Sequence, residues 1–163
     1  MTKSNMNWVE ESLKLFKMER PDHFTHYNHC HDCYDNDVMF RRQTIESIGM
    51  KELGNYLGFE PLHYCTAEGK RYFTPALIRL TLETVDTEFY FYQFAYHLQN
   101  EEYYLACTPE QRSFMASFIL YMIEQYTIKL DDEGCDEFVL NAYELWKGSD
   151  NKKTAPCAKT QGG

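Results

Sequence analysis

Apolar positions recur at helical spacing along most of the chain. In "NWVEESLKLFKMERP", Val9, Leu13 and Phe16 fall at i, i+4 and i+7, one face of a helix. Pro21 closes that element, because proline drives the residue before it out of the helical region. "DVMFRRQTIESI" sets Val38, Ile45 and Ile48 on one side and predicts a second helix. "MKELGNYLGFEP", with its glycines and proline, predicts one turn of helix inside a connection. "TPALIRLTLETV" predicts a helix that begins at Thr74, with Thr74 as cap and Pro75 at the first helical position. "TEFYFYQFAYHLQN" is ambiguous by propensity, since its aromatic run suits a strand. The spacing of Phe91, Phe94 and Leu98 favours a helix.

The clearest signal is "TPEQRSFMASFILYMIEQYTIKL". Thr108-Pro109-Glu110-Gln111 is a capping box with proline at the first helical position. Met115, Phe118, Ile119, Met122 and Tyr126 continue it as an apolar stripe. A last helix over about 133–147 is expected to bury Phe138, Ala142, Leu145 and Trp146. The pattern predicts an all-α fold: one domain over residues 1–147, a bundle of five to seven helices, with a His/Cys segment after the first helix. Residues 148–163, "GSDNKKTAPCAKTQGG", have no periodicity and read as a disordered polar tail.

Composition narrows the function classes. A chain of 163 residues, 44% hydrophobic and 16% aromatic, is long enough to enclose a full core. A formal charge of −9 argues against nucleic acid or an anionic membrane as partner and favours a basic protein. No stretch approaches the roughly 18 apolar residues of a membrane span. The start of the chain shows no apolar secretory region, so a cytoplasmic protein with reduced thiols is expected.

The chemistry is concentrated in "HYNHCHDCYDND", residues 26–37, which holds three histidines, two cysteines and three aspartates. Cys30-x-x-Cys33 is the usual half-site spacing for zinc, and His29 adjoins its first cysteine. Candidate metal ligands are His29, Cys30, Cys33, His26 and Asp37. A straight helix over 26–37 would spread them over roughly 16 Å, more than one ion spans. A site therefore needs a turn near His29 and Cys30, or a remote ligand such as His63 or Cys65. A structural zinc ion that pins the segment between the first two helices is the expectation, with Zn as the cofactor. One CxxC is a weaker signal than two, and polar capping residues at a helix start compete with it. Two other readings stand beside zinc. One is a metal-dependent hydrolase with Asp35 or Asp37 as base. The other is a thiol redox sensor built on Cys30 and Cys33.

A second feature is the absence of any Lys or Arg from Leu80 to Gln111. Acids and aromatics alternate there, and Glu88, Tyr92, Tyr96, Glu101, Glu102 and Tyr103 are expected to form a partner-binding face. Solvated helix faces over an aromatic core explain the same pattern. No nucleophile elbow, P-loop or dinucleotide fingerprint occurs, so no catalytic residue is assigned.

"RPDHFTHYNHCHDCYDND" resembles the opening of an uncharacterised family of small bacterial helical proteins with the pattern P-x-H-F-x-x-Y-x-H-C-x-x-C-x-E-H-D. Pro21, His23, Phe24, Tyr27, His29, Cys30, Cys33 and Asp37 match it. "EGKRYFTPAL" and "CTPEQRSFMASFI" are similar to that family's later helices. The chain departs from the pattern at Asp35-Asn36, where the family has Glu-His, which puts a fourth ligand in doubt. The resemblance implies a helical, metal-binding protein and supplies no activity. Size, acidity and lack of catalytic motifs together suggest a non-enzymatic immunity-type protein that neutralises a basic toxin, or another basic partner, by direct binding.

Overall fold

Eight α-helices and one 3-10 turn make up the fold of the described residues, 3–54 and 60–148 of a computed structural model. The helices are α1 (Lys3–Leu15), α2 (His31–Arg41), α3 (Met50–Leu53), α4 (Ala67–Glu83), α5 (Phe91–Leu98), α6 (Glu101–Ala106), α7 (Pro109–Asp132) and α8 (Asp136–Trp146). The 3-10 turn is Pro61–His63. The only pairing of strand type among these residues is an isolated antiparallel bridge between Thr25 and Cys65. The fold is all-α, as the periodicity predicts. It has one helix more than the upper expectation, because Asn100 ends the aromatic stretch and starts a new element. Its Oδ1 accepts the Tyr103 N–H at 2.9 Å and separates α6 from α5. The tail expected from residue 148 lies, from 149 onward, outside the described residues.

α4 is the central element. It packs against α1, α5 and α6, and Phe73, Thr74, Ala76, Leu77, Ile78 and Thr81 are all fully buried. A helix covered on so many sides has little need of a polar face. Its start is not where the Thr-Pro pair suggests. Thr66 is the cap, with Oγ1 accepting the Gly69 N–H at 3.1 Å. Thr74 lies inside the helix, and its hydroxyl donates to the Lys70 carbonyl at 2.9 Å. Pro75 is therefore an interior proline, with no N–H to offer the carbonyl four residues back. Tertiary burial overrides the local start signal.

The capping box of α7 forms as read. Thr108 Oγ1 accepts the Gln111 N–H at 3.2 Å, and Gln111 Oε1 accepts the Thr108 N–H at 3.0 Å. Gln111 also accepts from Arg71 Nε at 3.0 Å and donates to the Leu15 carbonyl at 2.9 Å. One buried amide thus joins α7 to α4 and to the end of α1. The helix is interrupted at Tyr126, where φ is −128° and ψ is 29°. Ring packing completes the core. Trp8 meets Phe114 and Phe118 edge-on, while Trp146 meets Tyr103 and Tyr104. Each fully buried ring of this size is worth about 1.5–3 kcal/mol.

In α8, Ala142 and Trp146 are buried as expected. Phe138 and Leu145 are only partly covered, and Val139 takes the inward position instead.

Candidate metal centre

The ligand-rich stretch folds as a tight turn leading into α2. The His29 N–H donates to the His26 carbonyl at 2.8 Å, which closes the turn. Cys30 then caps the helix, its Sγ accepting the Cys33 N–H at 3.2 Å. The helix begins earlier than the apolar pattern suggests, so the CxxC pair sits across its first turn.

Three ligand atoms converge there. One side-chain donor atom each from His29, Cys30 and Cys33 lies within 4.8 Å of the others. The two sulfurs are 2.8 Å apart, and Cys33 Sγ is 3.9 Å from His29 Nδ1. His29 and Cys30 are exposed, and Cys33 is buried. The contact with the Cys33 thiol, then His29 and the Cys33 N–H, pull the Cys30 thiol below its usual pKa. Cys33 moves the opposite way, first because of its side-chain contact with Cys30 and then because of burial. The two thiols of the pair are thus shifted in opposite directions by their shared contact.

Several polar contacts hold this turn in place. Asp37, 2% exposed, accepts the Phe24 N–H at 2.6 Å and the Thr25 N–H at 3.2 Å through Oδ1. Its Oδ2 meets His23 Nδ1 at 2.7 Å. Burial opposes the charge of Asp37, but these three bonds outweigh it and lower the carboxyl pKa. His23 stacks on Tyr27, with ring centres 3.8 Å apart. Thr25 Oγ1 donates to the Cys33 carbonyl at 2.6 Å. Arg20 reaches the other end of α2 and donates to the Arg41 carbonyl at 2.8 Å. It thereby satisfies a carbonyl that the helix end leaves without a partner.

No family model matches the chain, and no curated protein or solved structure matches it significantly.

The geometry of the turn keeps three of the five expected ligands together and separates two. Asp37 is not a ligand in this arrangement, because both of its oxygens are committed to Phe24, Thr25 and His23. His26 is exposed and lies outside the converging group. Asp35 pairs with His31 at 3.2 Å on the surface. The remote candidates do not close the site either. Cys65 is buried behind the Thr25 bridge, and burial pushes its thiol up to about 12. His63 lines a separate cleft with Lys70 and His97.

The expected partner face is also divided. Glu88, Tyr92, Tyr96, Glu101 and Glu102 are exposed. Tyr92 and Tyr96 both set their ring edges against Phe138 of α8. Tyr103 is not part of any surface. It is fully buried, with its hydroxyl 2.6 Å from Thr74 Oγ1. The Asn100 cap resets the helical phase between Tyr96 and Tyr103, which turns the second tyrosine inward. No helix of the described residues is long and apolar enough to cross a membrane.

Proposed function

We propose that this chain is a zinc-binding protein that works by association, with His29, Cys30 and Cys33 as the protein ligands. The convergence of their three donor atoms within 4.8 Å carries the reading. Two thiolates and an imidazole suit zinc over harder cations, which prefer oxygen. Zinc–sulfur bonds of about 2.3 Å in a tetrahedral set separate two sulfurs by roughly 3.8 Å. The pair must therefore open from its present 2.8 Å, which the exposed side chain of Cys30 permits.

The ligands span five consecutive residues, His29 to Cys33. Closing so short a loop removes little chain entropy, so an ion here stiffens one turn instead of joining distant segments. Three protein ligands leave one tetrahedral position for a group from outside. Of the two bases that a metal-dependent hydrolase would draw on, Asp37 has its oxygens filled and Asp35 is paired with His31 on the surface, which favours association over catalysis.

Elemental analysis of the purified protein tests the zinc reading. About one zinc per chain, lost on Cys30→Ser with Cys33→Ser, supports it. Metal-free protein that gains no thermal stability from added zinc rules it out.

A second reading concerns the partner. Tyr92 and Tyr96 are 39% and 52% exposed beside Phe138, on a chain of charge −9. Exposed tyrosines on an acidic chain favour a basic protein, of which a toxin held by an immunity protein is one kind. A basic partner that binds equally well after Glu88→Lys, Glu101→Lys and Glu102→Lys would remove this face from consideration.

A further inference from the structure

A polar cleft away from the thiols lies at the end of α5. It encloses about 370 Å³ and is lined by His63, Lys70, Tyr96, His97, Gln99 and Asn100. That volume falls at the small end of ligand sites, which run roughly 300–1,000 Å³. Lys70 enters it from α4 and is only 7% exposed. Lysine is almost never buried this far without a partner. Among the described residues, however, no hydrogen bond or ion pair engages its ammonium. Burial lowers its pKa, and the charges of Cys65, Glu60 and Glu102 only partly offset that.

Asn100 stands beside Lys70 in the lining. Asn100 uses Oδ1 to cap α6, and its amide nitrogen takes no part in that bond. Behind the wall, Glu60 Oε2 holds His97 Nε2 at 2.9 Å, which fixes the imidazole in the cleft. The other oxygen, Glu60 Oε1, is buried without a hydrogen-bond partner. That oxygen needs a donor, so it adds nothing to anion binding, and the case for an anion rests on Lys70.

We propose that the cleft binds a small monocarboxylate, anchored by the Lys70 ammonium with the Asn100 amide as a second donor. Glu60 and Glu102 act on Lys70 without bonding it, and a bound carboxylate supplies the direct, charge-assisted hydrogen bond that its ammonium lacks. A single negative charge fits better than two. Glu60 and Glu102 stand near enough to act on Lys70, and the chain as a whole carries −9. Doubling the ligand charge scales attraction and repulsion alike, and with two acids against one lysine the balance worsens for a dianion. This proposal does not depend on the zinc reading, since none of the cleft residues belongs to the thiol turn.

The test is a titration of the full chain with sodium acetate, sodium lactate and sodium phosphate at constant ionic strength, followed by amide correlation spectra. Shifts at His97 and Asn100 that saturate with acetate or lactate in the roughly millimolar range are expected. Lys70→Met and Asn100→Asp should each weaken binding at least about tenfold. Asn100→Asp is the safer variant, because aspartate caps a helix as well as asparagine while placing a negative charge at the cleft. Shifts that rise without saturating, unchanged affinity in Asn100→Asp, or tighter binding of phosphate than of acetate would each overturn the proposal.

Discussion

Asp37 and His23 meet at 2.7 Å across the base of the thiol turn, and the same carboxylate also takes the backbone N–H groups of Phe24 and Thr25. Asp37 therefore acts one shell behind the thiols. It fixes the chain before the turn to the helix after it. Asp37→Asn keeps the shape but gives up the charge, and it turns an amide toward groups that need an acceptor. The expected loss is on the order of 2–3 kcal/mol. Zinc affinity should also fall by about 10–100-fold, as when an outer support of a metal ligand is removed. Urea unfolding and competitive zinc titration of this variant measure the two effects. Normal values for both would show that the carboxylate is not what positions the turn.

The same residue sets an acid response. Its folded pKa lies below the ordinary aspartate value. The stability it contributes is therefore fully present above about pH 4, its unfolded range. That contribution is lost as the pH falls through the lower folded value, where the native carboxyl finally binds a proton. A pH series of melting temperatures should show a fall at the acid end that is shallower in Asp37→Asn. Equal slopes in the two proteins would contradict the linkage.

Gln111 offers a test of how the helices are joined. Its amide serves its own cap, Arg71 of α4 and the Leu15 carbonyl at the end of α1. It is 2% exposed, and Gln111→Ala leaves part-buried groups of Leu15, Arg71 and Thr108 without this partner. A loss of about 2–4 kcal/mol is expected. Gln111→Glu should recover part of it, since a carboxylate still accepts from Arg71 and from the Thr108 N–H. Chemical denaturation of the two variants gives the comparison.

Some of these relationships were readable in the sequence. The Thr108–Gln111 box was, because a glutamine three residues after the cap confirms the start. Thr74-Pro75 has no such partner at Leu77, and the true cap, Thr66, stands eight residues earlier. Cys30, Cys33 and His29 were found by spacing, since a local turn brings neighbours together. The role of Asp37 was not, because its main partners are backbone N–H groups of Phe24 and Thr25, which any residue type would supply. Lys70, Glu60 and His97 meet only through the packing of α4 and α5, across 37 residues for the Glu60–His97 pair. Tyr96 and Tyr103 looked alike in an aromatic run, and only the new phase after Asn100 distinguishes them.

Tyr103→Phe separates core from interface directly. The Thr74 hydroxyl donates to the Lys70 carbonyl, so Tyr103 is the donor in the 2.6 Å contact between the two hydroxyls. Removing its oxygen leaves one acceptor of Thr74 unmatched and should lower stability by about 1 kcal/mol. Partner association should be unchanged, whereas Tyr96→Ala should weaken association and also lose the stability that its ring gains against Phe138. The opposite assignment of effects would place Tyr103, not Tyr96, in the contact.

Gly69 links the thiol turn to the central helix. It lies in the first turn of α4, where a Cβ would come within 2.6 Å of Cys65 Sγ and 3.2 Å of the Phe24 carbonyl oxygen. Alanine is the better helix former by roughly 1 kcal/mol, so an open site here would gain stability from Gly69→Ala. Cys65 is buried, however, and its short side chain has no free end to swing away. Phe24 cannot retreat either, since its carbonyl accepts the Thr66 N–H at 2.7 Å and its N–H serves Asp37. Overpacking should therefore prevail, with a net loss of about 1–3 kcal/mol. Because the displaced backbone is the one that Asp37 holds, zinc affinity should fall as well. Adding Cys65→Ala removes the closest obstacle, so the double variant should be less destabilised than the sum of the two single changes. Simple additivity would mean that Gly69 is not in close contact with that sulfur.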